Sequence, residues 1–248
     1  MTRKLTLIKG FAAIGAAGLL LAGCGDGAPT PGGNNGGDST ESSGSGSYSV
    51  MVDWEGCEAF DDIQSLQDYM GVVDLGTSGL VTSKIGSGLD GEAFSCGAMA
   101  SLASYTYEGS ATGERDFPGS ANLTVAAAPW DSEDEATENF QGRLDQLADS
   151  IETGGLDYTN QKEGELGGDW DESYFFAADT EVGYQINAIG RKGDLIVYTF
   201  LDYTFDPALQ FDADPVYPFT NEELVDWITN DYMTQTQSDL LAKKESGL

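Results

Sequence analysis

Histidine is absent from this 248-residue sequence, and its absence limits the chemistry that the chain can perform. Without histidine there is no Ser-His-Asp or Cys-His catalysis and no histidine-ligated metal. The sequence also lacks the phosphate-binding pattern G-x-x-x-x-G-K-[ST] and the esterase pattern G-x-S-x-G. We therefore expect neither a resident cofactor nor a resident metal ion.

Basic residues are scarce: 11 Lys and Arg stand against 42 Asp and Glu, which gives a formal net charge of −31. A charge of this sign argues against electrostatic binding of nucleic acid or anionic lipid. One interpretation is the adaptation of a secreted protein to a salty environment. The other is a surface that binds cations or a basic partner.

Long hydrophobic runs are also missing, apart from a short run near the amino terminus. Residues from Phe11 to Leu21 are apolar or small and carry no charge, but a membrane-spanning helix needs about 20 such residues. The basic residues Arg3, Lys4 and Lys9 precede the run. A basic start followed by a short apolar segment is typical of a secretory signal.

The signal ends in Leu21-Ala22-Gly23-Cys24, which resembles the lipobox of bacterial lipoproteins. In lipoproteins of that kind a diacylglyceryl group is placed on the cysteine thiol, and cleavage frees the cysteine amine. We therefore predict a signal peptide over 1–23, lipid attachment at Cys24 and an anchor in the cell membrane at its extracytoplasmic face. The alternative is an ordinary signal peptide that happens to contain a cysteine.

A polar segment separates Cys24 from the rest of the chain. Residues 25–47 are mostly Gly, Ser, Pro, Asn and Thr, and Ala28 is the only aliphatic residue among them. Such a segment buries too little apolar surface to offset the entropy of ordering. We predict a disordered linker over 24–47 and one acidic globular domain over 48–248, a length typical of a single domain.

Two cysteines remain beyond Cys24, namely Cys57 and Cys96. An even pair in an exported chain predicts one disulfide, because the compartment outside the membrane permits it. The alternative is a reactive or metal-binding thiol pair. The chain has no Cys-x-x-Cys motif and no histidine to activate a thiolate or complete a zinc site.

Hydrophobic periodicity predicts an α+β domain, with an antiparallel sheet on which helices pack. Leu195 to Leu201 is continuously apolar, which predicts a central strand covered on both faces. Ser132 with Glu135, and Thr220 with Glu223, match the capping box that begins a helix. The predicted helices are 58–70, 132–151 and 220–241, and the predicted strands are 92–98, 122–128, 173–178, 182–188 and 195–201.

This layout resembles a group of two-cysteine lipoproteins of actinobacteria that carry a domain of unknown function. The features that match are the lipobox, the polar linker, Cys57 at a helix start, Cys96 about 40 residues later and the amphipathic helix from Ser132. In that group a tryptophan often lies next to the second cysteine, whereas Gly97 follows here. The resemblance implies an envelope protein whose α+β fold is similar to the Mog and PsbP type. It implies no catalytic residues.

One acidic segment holds the candidate ligand-facing residues. Trp170 lies between Asp169 and Asp171 in a glycine-rich stretch, and an exposed aromatic with flanking acids suits a sugar or a peptide. The same segment superficially resembles a calcium loop, but it lacks the glycine at position six and the glutamate at position twelve of an EF-hand. A solvated acidic turn is the alternative.

From the sequence we expect a membrane-tethered envelope lipoprotein with a non-enzymatic binding or accessory domain. Its expected partners are a basic protein, a cationic peptide or a cell-wall glycan, and nucleic acid is excluded by charge. The alternative function is a carboxylate-dependent glycan hydrolase of the envelope. Glycoside hydrolysis needs only two correctly spaced acids, and this chain has many.

Overall fold

The computed structural model describes residues 46–87, 90–109 and 113–247. The predicted signal peptide, Cys24 and the predicted linker up to residue 45 lie outside the described residues. Gly46 is the first described residue, and the first described helix starts at Ser47, which is fully buried.

Seven strands of the described chain form one antiparallel sheet in the order β1-β2-β3-β7-β6-β5-β4. Their bounds are β1 Val81–Ser83, β2 Phe94–Gly109, β3 Gly113–Pro129, β4 Thr159–Gly164, β5 Glu172–Asp179, β6 Gly183–Lys192 and β7 Leu195–Thr204. The α+β prediction with an antiparallel sheet is therefore confirmed.

Strand β7 lies at the centre of the sheet, as its continuous apolar run predicts. It pairs with β3 on one side and with β6 on the other. Val197 and Leu201 belong to the larger hydrophobic core, whereas Ile196 belongs to a second cluster on the opposite face. Side chains alternate between faces along a strand, so both faces of β7 are covered.

Helices cover the two faces of the sheet unequally. Most of them pack on the larger core: α1 Ser47–Met51, α2 Gly56–Ala59, α3 Ile63–Met70, α5 Asn221–Trp227 and α6 Met233–Ser246. Only α4, Glu133–Thr153, packs on the second cluster, through Phe140. Among the described residues no helix is both long and apolar enough to cross a membrane.

The predicted helix over 58–70 is two helices in the structure. α2 ends at Ala59 and α3 begins at Ile63, with a turn from Phe60 to Asp62 between them. Phe60, Ile63 and Leu66 are all buried, so the apolar residues point inward as the spacing predicts. The interruption lets the Cys57 end of the segment follow β2 while α3 packs on the core.

Helix α4 begins as its sequence predicts, since the Ser132 side chain accepts a hydrogen bond from the Glu135 backbone. Its inner face carries Arg143, whose Nη1 lies 2.6 Å from an Asp90 oxygen and whose guanidinium lies 5.2 Å from the Tyr198 ring centroid. Burial raises the pKa of Asp90, but Arg143 and the Tyr198 hydroxyl outweigh it, and the pKa is lowered. This ion pair fixes α4 to the sheet.

Strands β2 and β3 extend well past their predicted ends. Their pairing continues to Gly109 and Gly113, with a register shift between Leu102 and Tyr105. A 3₁₀ helix, Pro207–Phe211, covers one face of this extension, and the Phe211 ring stacks on Tyr107 with centroids 4.6 Å apart. The outer half of the hairpin is mostly exposed, which explains why hydrophobic periodicity does not reveal it.

Cys57 and Cys96 form the predicted disulfide. The bridge joins α2 to β2, and the Cys57 backbone N–H donates to Thr82 Oγ1 on β1 at 3.1 Å. Helix and strand approach so closely that a Cβ on Gly56 would lie 1.8 Å from the Ser95 carbonyl oxygen. Glycine before Cys57 is therefore a requirement of this close approach.

Candidate functional site

An open cleft of about 730 Å³ lies where the chain enters the domain. Five parts of the chain form it: Gly46, the start of α4, Asp171 just before β5, the turn between β6 and β7, and the last turns of α6. Its charged lining residues are Asp131, Glu133, Asp171, Lys192, Asp194 and Lys244. Asp171, a candidate residue of the sequence, thus contributes to a real concavity.

The turn between β6 and β7 is held in place by Asp171. Gly193 has a φ of +56°, a conformation that glycine adopts without strain. Its backbone N–H donates to Asp171 Oδ2 at 2.7 Å, and Lys192 Nζ lies 3.2 Å from Asp171 Oδ1. The pKa of Asp171 is lowered, chiefly by the hydrogen bond from Gly193, and the carboxylate stays ionised.

In the same turn, Asp194 connects the first described helix to the last one. The Ser47 backbone N–H donates to Asp194 Oδ2 at 2.7 Å, and the Ser47 hydroxyl donates to Oδ1. Lys244 Nζ lies 3.1 Å from the same oxygen and 2.6 Å from Ser47 Oγ. Burial raises the pKa of Asp194, but the hydrogen bonds from Ser47 and Lys244 outweigh it, and the pKa is lowered.

A serine beside a lysine is an arrangement that can activate a nucleophile. Here the Lys244 ammonium is paired with Asp194 and has no lone pair with which to take the proton of Ser47. Ser47 is also fully buried, so no substrate carbonyl reaches its oxygen. The group is a structural clamp at the entry of the domain.

The three candidate residues of the acidic segment are placed differently. Asp169 is exposed, and its carboxylate lies 3.0 Å from Lys192 Nζ, the same ammonium that Asp171 binds. Trp170 is half-buried: its indole N–H donates to the Gly167 carbonyl at 2.9 Å. Its ring also covers Gly190, where a Cβ would lie 2.4 Å from the indole. The structure joins the two acids around Lys192 and packs the indole on the sheet.

Sequence reasoning did not find Ser47, Asp194 or Lys244. Ser47 falls within the predicted linker, and Asp194 is separated from it by 147 positions. The sequence offers one signal, which is the scarcity of basic residues. In a strongly acidic chain each lysine is expected to form an ion pair, but the sequence does not tell with which acid.

Carboxylates outnumber ammonium groups in the cleft, and both lysines are already bound to acids. The N-terminal end of the α4 dipole offsets part of the negative charge of Asp131 and Glu133. What remains is an excess of hydrogen-bond acceptors. The electrostatic field of such a lining is more favourable to cationic groups than to anions.

General acid catalysis needs a carboxyl with a raised pKa. The carboxyls of the cleft whose pKa is shifted, Asp171 and Asp194, are shifted downward. Burial raises the pKa of Asp62 and of Asp202, but neither lines the cleft. Asp62 precedes α3 on the larger core, whereas Asp202 alternates with Leu201 and Tyr203 and so points to the other face of the sheet.

The described residues contain no cluster of three or more Cys, Asp or Glu side chains placed to hold a metal ion. The chain matches no protein-family model, and no curated protein or solved structure is significantly similar to it. The resemblance to actinobacterial two-cysteine lipoproteins and to the Mog and PsbP folds stays a prediction.

Proposed function

We propose that this chain is a lipoprotein anchored through Cys24 at the extracytoplasmic face of the cell membrane, and that its domain binds a partner instead of catalysing a reaction. The lipobox and the polar linker support the anchor. The Cys57–Cys96 disulfide fits an oxidising compartment.

The observation that carries the binding proposal is the ion pairing of the domain. Of its eight basic residues, seven lie in salt bridges with Asp or Glu: Lys84, Arg143, Lys162, Arg191, Lys192, Lys243 and Lys244. Arg115 has no such bridge among the described residues. Nearly all basic side chains thus pair with acids of the same chain. Since the acids are far more numerous, most carboxylates have no basic partner among the described residues. A basic protein or a cationic peptide is the complementary partner.

The cleft beside Asp171 is the part of this surface that we assign to the partner. It is concave, and it presents Asp131 and Glu133 without basic partners among the described residues. A lysine or arginine side chain of the partner fits this chemistry, because each ammonium or guanidinium replaces solvent around a carboxylate.

A glycan hydrolase is the weaker candidate. Its mechanism requires a protonated carboxyl close to a second, ionised one in the same cleft. The lowered pKa of Asp171 and of Asp194 works against that requirement. Turnover of peptidoglycan fragments by the purified protein would reverse this judgement.

The anchor is tested by intact mass spectrometry of the protein taken from membranes. The mature chain is expected to begin at Cys24 and to carry acyl chains. Cys24→Ser is expected to remain uncleaved by the lipoprotein peptidase or to leave the membrane fraction. A Cys24→Ser variant that is processed and membrane-bound like the wild type would contradict the anchor.

Binding is tested with hexalysine and the full lipoprotein in detergent. Because two cleft acids are removed, Asp131→Asn with Glu133→Gln is expected to raise the Kd about tenfold. The matched control is Glu138→Gln with Asp145→Asn on α4, which removes the same charge from exposed positions. Equal weakening by both double variants would show that net charge alone acts and would refute the cleft.

A further inference from the structure

Strands β2 and β3 continue beyond the rest of the sheet as a two-stranded arm, formed by residues 103–109 and 113–119. The pairing of β3 with β7 begins only at Ala121. On its other side, β2 has neighbours only as far as the bridge between Ser101 and Asp74. Both outer edges of the arm therefore lack a neighbouring strand among the described residues. Such an edge presents a row of backbone donors and acceptors with which another chain can pair.

The β2 edge of the arm directs complete backbone groups outward. The Ser101 N–H donates outward to the Asp74 carbonyl at 2.7 Å, and the Ser101 carbonyl accepts from the Val73 N–H at 2.9 Å. The register shift of β2 against β3 then adds one residue to β2, which moves the outward phase by one position. Thr106 and Glu108 thus point their N–H and C=O groups outward. No hydrogen bond reaches these backbone groups from another part of the described chain.

The other free edges of the described sheet are protected against a further strand. On the β3 side of the arm, the Ser120 N–H donates away from β2, to Thr204 Oγ1 at 3.0 Å. Pro118 has the same phase two residues earlier but has no N–H to donate. β4 contains a register shift and Asn160 with a φ of +50°, and β1 has only three residues. Prolines, irregularities and short strands all block edge pairing, and residues 105–109 of β2 contain none of these features.

The two faces of the arm differ in chemistry, which determines the kind of strand that fits beside it. On one face Glu108 lies directly opposite Glu114, an arrangement of like charges that destabilises a sheet. Neither glutamate forms a salt bridge among the described residues. The other face carries Tyr107, whose ring stacks on the 3₁₀ helix. Since side chains alternate along a strand, an added strand would place every second side chain beside the glutamates and the others beside the tyrosine.

We propose that residues 105–109 of β2 accept an extended segment of a partner protein as an added strand, in which basic and apolar side chains alternate. Backbone hydrogen bonds give this complex its affinity, and the alternate side chains give it specificity. The proposal rests on the proposed function for the basic character of the partner, but it does not need the cleft beside Asp171. A second copy of this chain fits the edge less well, because it would bring together two domains of strong negative charge.

The experiment is isothermal titration of the full lipoprotein in detergent with a seven-residue peptide in which lysine alternates with valine. A peptide of the same composition, with its lysines consecutive, is expected to bind about tenfold more weakly. Two further peptides carry N-methyl groups, one on the lysine nitrogens and the other on the valine nitrogens. Only alternate amides of an added strand face β2, so one of the two is expected to lose binding and the other to keep it. Two N-methylated peptides that bind alike would overturn the proposal.

The variant that tests the charges of the arm is Glu108→Gln with Glu114→Gln. It is expected to raise the Kd of the alternating peptide about tenfold. It is also expected to raise the Tm, because the repulsion between the opposed glutamates is removed. The matched control is Glu138→Gln with Glu152→Gln, which removes the same charge from exposed positions of α4. Equal weakening by the two double variants would show that net charge alone acts and would contradict binding at the arm.

The cleft variant Asp131→Asn with Glu133→Gln separates this proposal from the proposed function. It is expected to weaken hexalysine binding and to leave the Kd of the alternating peptide within about threefold of the wild-type value. If it weakens binding of both peptides while the arm variant weakens neither, the proposed function stands and the arm proposal fails. Dimerisation of the wild type that strengthens in Glu108→Gln with Glu114→Gln would likewise refute the proposal, because a second copy would then occupy the edge.

Discussion

Asp194 holds α1 to the turn between β6 and β7 and to α6, because it accepts hydrogen bonds from the Ser47 backbone, the Ser47 hydroxyl and the Lys244 ammonium. We predict that Asp194→Asn lowers the free energy of unfolding by about 1–3 kcal/mol at pH 7, since a partly buried charged hydrogen-bond network loses its acceptor. Urea unfolding measures the effect. Exposed Asp145→Asn, the control, is expected to stay within about 0.5 kcal/mol of wild type.

The same variant has a pH signature. The pKa of Asp194 is lowered in the folded state, so its contribution is present above the ordinary value of 3.8 and is lost as pH falls through the lower folded value. The deficit of Asp194→Asn is therefore expected to shrink when unfolding is measured near pH 3 instead of pH 7. If the loss of unfolding free energy in Asp194→Asn were the same at both pH values, it would arise from altered packing and not from the lost charge.

Gly190 illustrates a contact that only the structure reveals. A Cβ at this position would lie 2.4 Å from the Trp170 indole. We predict that Gly190→Ala lowers the free energy of unfolding by about 1–3 kcal/mol through overpacking. Adding Trp170→Ala is expected to cost less than the sum of the two single changes, because they share one contact. Strict additivity in urea unfolding would contradict this packing.

At the scale of elements, the disulfide joins a four-residue helix to the sheet. The bridged cysteines are 39 positions apart, and a closed loop of that size is worth about 4 kcal/mol in the chain-entropy model. We predict that Cys57→Ala with Cys96→Ala lowers the urea midpoint while the sheet still forms. Reduction of the wild type is the control, and it should lower the midpoint by a similar amount. An unchanged midpoint would show that the loop is constrained by other contacts.

Helix α4 contains a glycine that its structure does not require. No heavy atom lies within 4 Å of a Cβ built on Gly142. We predict that Gly142→Ala raises the free energy of unfolding by about 0.8–1 kcal/mol, the helix propensity difference between the two residues. Gly119→Ala is the contrasting variant, because its Cβ would lie 2.3 Å from the Tyr217 hydroxyl. Thermal unfolding should shift upward for the first variant and downward for the second.

The sequence predicts the elements that carry a continuous apolar run, a regular apolar spacing or capping residues at their start. β7 and the starts of α4 and α5 were found from an apolar run and from capping residues, and the structure confirms them. β4 is a polar, exposed edge strand and left no such pattern. The helical segments α1 and α2 are too short for a helical period to show.

The candidate site was predicted less well than the fold, for a physical reason. Asp171 was found because acids and an aromatic are neighbours in sequence. The clamp of Ser47, Asp194 and Lys244 joins residues from both ends of the domain, and composition carries no information on such pairings. Burial of Trp170 depends equally on Gly190, which follows it by twenty positions.

At the scale of the whole molecule, self-repulsion is the dominant electrostatic feature. Cleavage at the predicted site would remove three basic residues and no acid, and it would leave a chain more negative than the −31 of the full sequence. We predict that the Tm rises by roughly 3–8 °C when NaCl is raised from about 10 mM to about 150 mM, since the Debye length falls from about 30 Å to about 8 Å.

Differential scanning calorimetry tests this charge prediction, with calcium chloride at equal ionic strength as the comparison. Similar shifts in both salts are expected from screening alone. A flat response to NaCl would mean that the acids are already well dispersed. A much larger shift with calcium would reveal a carboxylate site for divalent cations that the described residues do not form on their own.

The disulfide also sets a covalent limit on how far force could extend the first part of the domain. Under the proposed anchor, a pull toward the membrane would reach the described chain at its first residues, where Ser47 contacts Asp194 and Lys244. Extension of α1 and the residues after it would stop at Cys57, because the covalent bridge would pass the load to β2. β2 is held along its length by β3, so the sheet meets the load after only the first few residues of the domain are extended.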